Sequence, residues 1–331
     1  MTERLAILGM RLAPSLHLGH YIGNISPALS IVDNAQIVVI LADLATFASQ
    51  REKDLSKKNA IALVADCMAT GLTSEQVLFA LQSQIAVETN VLQSIIGNMI
   101  SFAQLSRIQP IRAMLSSKNN KVTASAVTFP LIEASEAIAL KADYLISNVD
   151  NLGVVSLIRH IEKKLATKYR IILPLTELKH GKVPLLYGFD RRKMGYDNNN
   201  AIFLNSDDKY IGNFVRKMRT DPTGIITNSS VSIDFSLVCQ YLNLFGYNEA
   251  EIQLMKDKYD SGKITSLEIK EQLARLIIKF LSPIRKKREA LIADNQPEIW
   301  ARIQADTAHV RNIAATNSKQ IIDAIFSTAG Y

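Results

Sequence analysis

Five short runs, Leu5 to Leu8, Ile37 to Leu41, Val77 to Leu81, Tyr144 to Ile146 and Arg170 to Leu173, recur between segments of helical periodicity along the first part of the chain. Strands that alternate with helices are joined by right-handed crossovers, which align them into a parallel sheet with helices packed on it. The expected fold is therefore α/β, a doubly wound, Rossmann-like parallel sheet. From Asp207 onward the periodicity is almost purely helical, in segments around Ile211 to Met218, Phe235 to Leu244, Leu267 to Phe280 and Ile284 to Ile292. These predict a second, all-helical domain and a boundary near residues 203–206, with a Rossmann-like domain over 1–204 and a helical domain over 205–331.

A length of 331 residues with 48% hydrophobic content suffices for two cores. No run of about eighteen apolar residues occurs, and the opening Met-Thr-Glu-Arg-Leu lacks the basic region and apolar core of a signal peptide, so no membrane partner and a cytoplasmic location are expected. Cys67 and Cys239 stand without C-x-x-C spacing, as in a reducing compartment. The net charge of +7 permits a polyanionic partner without requiring one.

Ligands of doubly wound sheets collect beyond the carboxyl ends of the strands, where the turn from Gly9 to Gly19, Asp43 and Asn148 to Asn151 are expected to fall. Leu16-His17-Leu18-Gly19-His20 places two histidines three residues apart with a glycine between them. That pattern fits a nucleotide-binding helix N-terminus. The first helical turn has spare N–H groups and partial positive charge, Gly19 removes a Cβ where a base or ribose must approach, and imidazole N–H groups can donate to phosphate. The same histidines could ligate a metal, but no third ligand lies nearby and no metal is expected. No G-x-G-x-x-G follows the first run, which disfavours a dinucleotide-dependent redox role.

A basic, glycine-containing loop, Gly188-Phe189-Asp190-Arg191-Arg192-Lys193-Met194-Gly195-Tyr196-Asp197, precedes the expected domain boundary. Taken with Leu16 to Gly23, Leu41 to Ala45, Leu105 to Ile108, Thr128 to Pro130, Met218 to Pro222 and Phe280 to Arg285, it resembles, in order and end to end, the class I aminoacyl-tRNA synthetases, and within them the tryptophanyl family. His17 and His20 match the histidines of the HIGH signature, and Lys193 the first lysine of the KMSKS loop. The resemblance implies that ATP, with Mg2+, is attacked at its α-phosphate by an amino-acid carboxylate, and that the aminoacyl group then passes to tRNA. It assigns His17, His20 and Lys193 to catalysis, and Arg11, Gly19, Asn24, Asp150, Lys193 and Met194 to the nucleotide. Gly9, Asp43, Phe129, Glu133, Glu136, Asn148 and Asn151 are assigned to the amino acid, tryptophan or an analogue. Arg112 is a further phosphate contact or an ordinary surface arginine. A homodimer is implied as well, through the apolar segment Val87 to Leu105.

The chain departs from the family at named positions. Tyr196 stands where the second loop lysine belongs, leaving Arg191 or Arg192 to substitute. Glu136 replaces the aspartate that accepts the indole N–H, Phe129 a tyrosine, Asn151 a glutamine and Asn148 a glycine. Glu133 and Glu136 share a helix face, either as a pair that prefers a cationic or multiply donating partner, or with Glu133 in solvent and Glu136 standing in for the aspartate. Arg285 to Arg288 form a basic cluster, and Trp300 either stacks on a base or packs between helices. Three functions stay open: a tryptophan–tRNA ligase, a paralogue activating another amino acid, and a non-catalytic tRNA-binding homologue.

Overall fold

The computed structural model describes residues 4–49, 51–116, 122–181, 183, 185–218 and 236–328. Arg219 to Pro222, part of one family segment, lie outside them. β1 (Arg4–Arg11), β2 (Ala35–Ala42), β3 (Val77–Leu81), β4 (Tyr144–Ile146) and β5 (Glu177–Lys179) form one parallel sheet in the order β3-β2-β1-β4-β5. Ile37 to Leu41 of β2 are all buried, as strands covered on both faces require.

The fifth strand corrects the expected Arg170 to Leu173. The helix Leu152–Tyr169 ends with Arg170 in the left-handed conformation, and Ile172 beyond it is 89% exposed. Ile171 and Leu173 pack partly buried against the core, and the chain is anchored at buried Thr176. Its hydroxyl lies 2.6 Å from Glu162 Oε1, to which it donates, and 2.9 Å from the Ala142 carbonyl oxygen, and Arg159 donates to its carbonyl. Burial raises the Glu162 carboxyl, against the Thr176 hydrogen bonds that lower it.

The chain divides into two compact units, and the division differs from the expected boundary at 204/205. The larger comprises Met1–Pro14, Tyr21–Pro184 and Leu291–Tyr331, and the smaller Ser15–His20 and Leu185–Ala290. The C-terminal helix Gln296–Thr328 thus belongs with the sheet. Its side chains serve the exposed edge of β3: the Phe79 N–H donates to Asp306 at 3.0 Å and the Leu81 N–H to Thr307 at 3.1 Å, while Arg302 donates to the Val77 carbonyl at 2.7 Å. These groups alternate along β3 as the outward groups of an edge strand do, so a helix replaces the missing neighbour. Val310, Ala314, Ile321 and Ile325 of the helix enter the core of this unit. Periodicity alone could not assign the helix to the sheet, because its partners lie more than 200 residues away in sequence.

Trp300, half-buried, packs in the same unit with the Lys57 ammonium 4.7 Å from its ring centre. The smaller unit contains the helices Asp208–Lys217, Ser236–Leu244 and Glu249–Asp260 and most of Ser266–Asp294. The last is one continuous helix where two segments were expected, with Pro283 inside it. No helix among the described residues is long and apolar enough to cross a membrane.

Candidate active site

In the smaller unit, the start of the HIGH signature pairs antiparallel with the segment after the loop. Leu18 N–H donates to the Ile202 carbonyl at 2.9 Å, Leu204 N–H donates to the Leu16 carbonyl at 2.8 Å, and His17 bridges Phe203. The helix expected at the signature is interrupted: Leu18–His20 is α-helical, Tyr21–Ile25 a π-helical turn and Ser26–Leu29 α-helical again. Such π turns widen a helix where a site must be accommodated.

The two imidazoles stack at 3.8 Å between centres, and His17 is 6% exposed. The His17 backbone N–H donates to His20 Nδ1 at 3.3 Å. In the neutral ring that acceptor role assigns the proton to Nε2 and makes this nitrogen a donor. A Cβ at residue 19 would lie 3.0 Å from two atoms of the His17 ring and 3.8 Å from Met194 Cβ. Glycine thus gives room to the close approach of the signature's own imidazole, which a Cβ would crowd.

Lys193 and Met194 lie on a hairpin. Met194 N–H donates to the Leu186 carbonyl and Gly188 N–H to the Arg192 carbonyl, both at 2.9 Å, and Arg191 turns the chain at φ 63°. Fully buried Asn200 staples the loop by accepting from the Gly195 N–H and donating to Asp190 and to the carbonyls of Arg192 and Lys193. Slight burial of Asp190 acts the other way, yet hydrogen bonds from Asn200 and Arg192 hold its carboxyl below the usual range. Lys193, Arg191 and Arg192 are exposed, and Arg192 is ion-paired with Asp190 at 2.7 Å. Tyr196 packs against the signature, 5.6 Å from the His17 ring, 6.3 Å from His20 and 5.1 Å from Phe203.

The basic cluster of the helix Ser266–Asp294 is less open than its sequence suggests. Arg285 donates to the Ser206 carbonyl and pairs with Asp208, and Arg288 is 8% exposed, so Lys286 and Lys287 alone of the four are exposed.

In the larger unit, the chain leaves β1 toward β2 on one side and returns with β4 on the other, the topological switch point at which doubly wound sheets bind ligands. β4 pairs with β1 only at Ala6 and Ile7. Beyond that point the central strand is uncovered: Gly9 and Arg11 are exposed, and a Cβ at residue 9 would meet no atom within 4 Å. Asn24 is buried nearby in sequence, and its Oδ1 has no hydrogen-bond partner among the described residues. Asn148 leans over Gly23, whose added Cβ would fall 2.0 Å from its Oδ1. Asn151 donates to Ser147 at 2.6 Å, while Asp150 and Phe129 are half-buried.

The acidic residues form one constellation. Asp43, just after β2, accepts from the N–H groups of Leu44 and Ser83 at 2.9 Å and from the Ser83 hydroxyl at 2.6 Å. Its carboxylate thereby caps the helix Gln82–Gly97. Glu133 and Glu136 lie on the helix Ala124–Ala139, Glu133 half-buried and Glu136 3% exposed. Desolvation pushes Glu133 up to about 7 against the pull of Arg11. It lifts Glu136 to about 8; the Gln82 hydrogen bond opposes the rise, and the charges of Glu133 and Asp43 add to it. Gln82 was not legible as a site residue, since a lone glutamine carries no motif. The available signal was a polar residue directly following the apolar run of β3, and it is 1% exposed.

The sheet of the larger unit is open at its switch point, and the smaller unit carries the H-x-G-H turn beside the stapled basic loop. The family model of tRNA synthetases class I (W and Y) matches residues 6–282. A tryptophan–tRNA ligase of Treponema pallidum (strain Nichols) is 28% identical over 325 residues, covering 96% of each chain. Tryptophanyl-tRNA synthetases of Mycoplasma pneumoniae and Campylobacter jejuni share the fold. The first has a TM-score of 0.76, 18% identity and coverage of 100% of this chain and 98% of that one. The second, complexed with ADP and tryptophan, has a TM-score of 0.74, 19% identity and coverage of 99% and 100%. The chain belongs to the class I tRNA synthetases of the W and Y branch, and is an ATP-dependent aminoacyl-tRNA ligase.

Proposed function

We propose that the chain activates tryptophan with ATP and transfers it to tRNA. The observation that carries this is the antiparallel pairing of Leu16–Leu18 with Ile202–Leu204, which seats the stacked imidazoles of His17 and His20 beside the loop bearing Lys193 and Met194. The relatives named as tryptophan–tRNA ligases support the choice of amino acid. As the carboxylate oxygen bonds to the α-phosphorus and the bond to pyrophosphate breaks, charge builds on the phosphate oxygens. His20, donating through Nε2, and His17 stabilise it by hydrogen bonding, and Lys193 follows the leaving pyrophosphate.

Arg11, Gly19, Asn24, Asp150 and Met194 complete the nucleotide side, with the unsatisfied Asn24 Oδ1 and the open space over Gly9 fitting a bound polar ligand. Mg2+ enters with the ATP phosphates. Gly9, Asp43, Phe129, Glu133, Glu136, Asn148 and Asn151 shape the amino-acid side, where Asp43 acts through the helix it caps. A homodimer is supported by Val87 at 61%, Val91 at 57% and Phe102 at 64% exposure on and beside the helix Gln82–Gly97. A cytoplasmic setting suits the substrates. The domain that reads tRNA is taken as the helical part of the smaller unit, within 205–290.

Amino-acid-dependent ATP–pyrophosphate exchange across the proteinogenic set tests the proposal. Exchange with tryptophan, abolished in Lys193→Ala, is the expected result. Exchange with a different amino acid would assign the pocket to another substrate, an outcome that the two carboxyls Glu133 and Glu136 make worth testing.

A further inference from the structure

Gln82 is the first residue of its helix and is sealed from solvent. Its side-chain Oε1 accepts from the Ala45 backbone N–H at 3.2 Å, which fixes which end of the amide points where. The other end, Nε2, donates to Glu136 Oε1 at 3.0 Å. No other hydrogen bond to the Glu136 carboxyl is made among the described residues. A backbone group thus dictates the orientation of a glutamine, and the glutamine dictates the role of one oxygen of a buried acid.

Resting on the reading of this pocket as the amino-acid site, we propose that Gln82 is a specificity-determining positioning residue. By occupying Oε1 it leaves Oε2 of Glu136 as the single carboxyl oxygen that reads the substrate side chain. An acid whose Oε1 is engaged as an acceptor carries its proton on Oε2, which is then a donor. An indole N–H needs an acceptor there, so binding tryptophan requires that proton to leave.

The charged groups bearing on Glu136 are Asp43, from the helix Asp43–Ala48, and Glu133, from its own helix; Arg11 acts on Glu133. On the other helices packed against it, Glu88 pairs with Arg311, Glu162 bonds Thr176, Arg159 donates to the Thr176 carbonyl and Lys164 to the Met99 carbonyl. Both acidic neighbours favour the protonated form. Burial already holds it up to about pH 8.

The test is tryptophan-dependent exchange between pH 6.5 and 9, with calorimetry at pH 7 in buffers of different ionisation enthalpy. The intact enzyme is expected to release close to one proton on binding tryptophan. Its KM should fall about tenfold per pH unit below 8 while kcat changes little. Gln82→Met, which removes the donor to Oε1, should raise KM about tenfold and move the midpoint to higher pH. Glu136→Gln keeps an acceptor for Gln82 but cannot ionise, so it should bind without proton release and with a flat profile. If Glu136→Gln retains the normal KM and profile, the pocket is not the amino-acid site. If Glu136→Gln flattens the profile while Gln82→Met keeps the normal KM and midpoint, the pocket stands and the role of Gln82 is overturned.

Discussion

The nucleotide signature of the smaller unit and the carboxyl pocket of the larger one are built by opposite means. His17 and His20 are three residues apart, and Lys193 and Tyr196 share one short loop, so each half of the signature is close-knit in sequence. The pocket is gathered from the ends of β1, β2 and β3 and from the helix Ala124–Ala139, with Arg11, Asp43, Gln82 and Glu136 joined only by strand order. Substitutions act differently in the two settings. In the first, exchanging a cation for Tyr196 left a tyrosine packed on the histidines. In the second, an acid is coupled to Gln82, Glu133 and Asp43, and changing one partner changes its protonation.

The sharpest test of the contrast is Lys193→Ala. The Lys193 side chain is exposed, so exchange should fall by two to three decades, about 3 to 4 kcal/mol of transition-state stabilisation, with a melting temperature that changes by a few degrees at most. A parallel loss of stability would mean that the loop is as coupled as the pocket.

Asp306→Ala probes the coupled side. It leaves the Phe79 N–H without its acceptor at the edge of β3, three residues before Gln82, and should cost about 1 to 3 kcal/mol in urea unfolding. Unaltered stability would show that the C-terminal helix does not protect that edge.

Tyr196→Lys restores the second loop cation and should speed exchange about tenfold. A slower enzyme would instead make the aromatic contact with His17 and Phe203 the essential feature, and the two regions would then be alike.

A further test concerns pH. Glu133, up to about 7, and Glu136, up to about 8, have carboxyls raised above the 4.5 of an unfolded chain. Their favourable contribution is complete below about pH 4.5 and is lost as the pH rises through 7 to 8, because the unfolded chain ionises first. The melting temperature should therefore decline from pH 5 to pH 9, and Glu133→Gln with Glu136→Gln should recover a few degrees at pH 9 and little at pH 5. A flat wild-type curve would place both carboxyls in water.

How much could be read beforehand follows from the range over which each signal acts. Four strands were legible because a buried parallel strand is an apolar run that needs no partner to be seen. Arg170 to Leu173 misled because an apolar run after a helix can equally be a loop that packs Ile171 and Leu173 on the core and is pinned at buried Thr176. Arg285 and Arg288 read as a basic patch, since the sequence does not reveal that Asp208 and the Ser206 carbonyl take up Arg285.

Residue order alone determined four of the five strands, the two signature motifs and the unusual residues at 133, 136 and 196, because hydrophobic period and short motifs are local properties of the chain. Only tertiary structure decided that the last helix serves the edge of β3, that Asp43 caps a helix, and that Gln82 orients Glu136. Each of these depends on which distant backbone N–H needs an acceptor once it leaves water, and folding alone settles that.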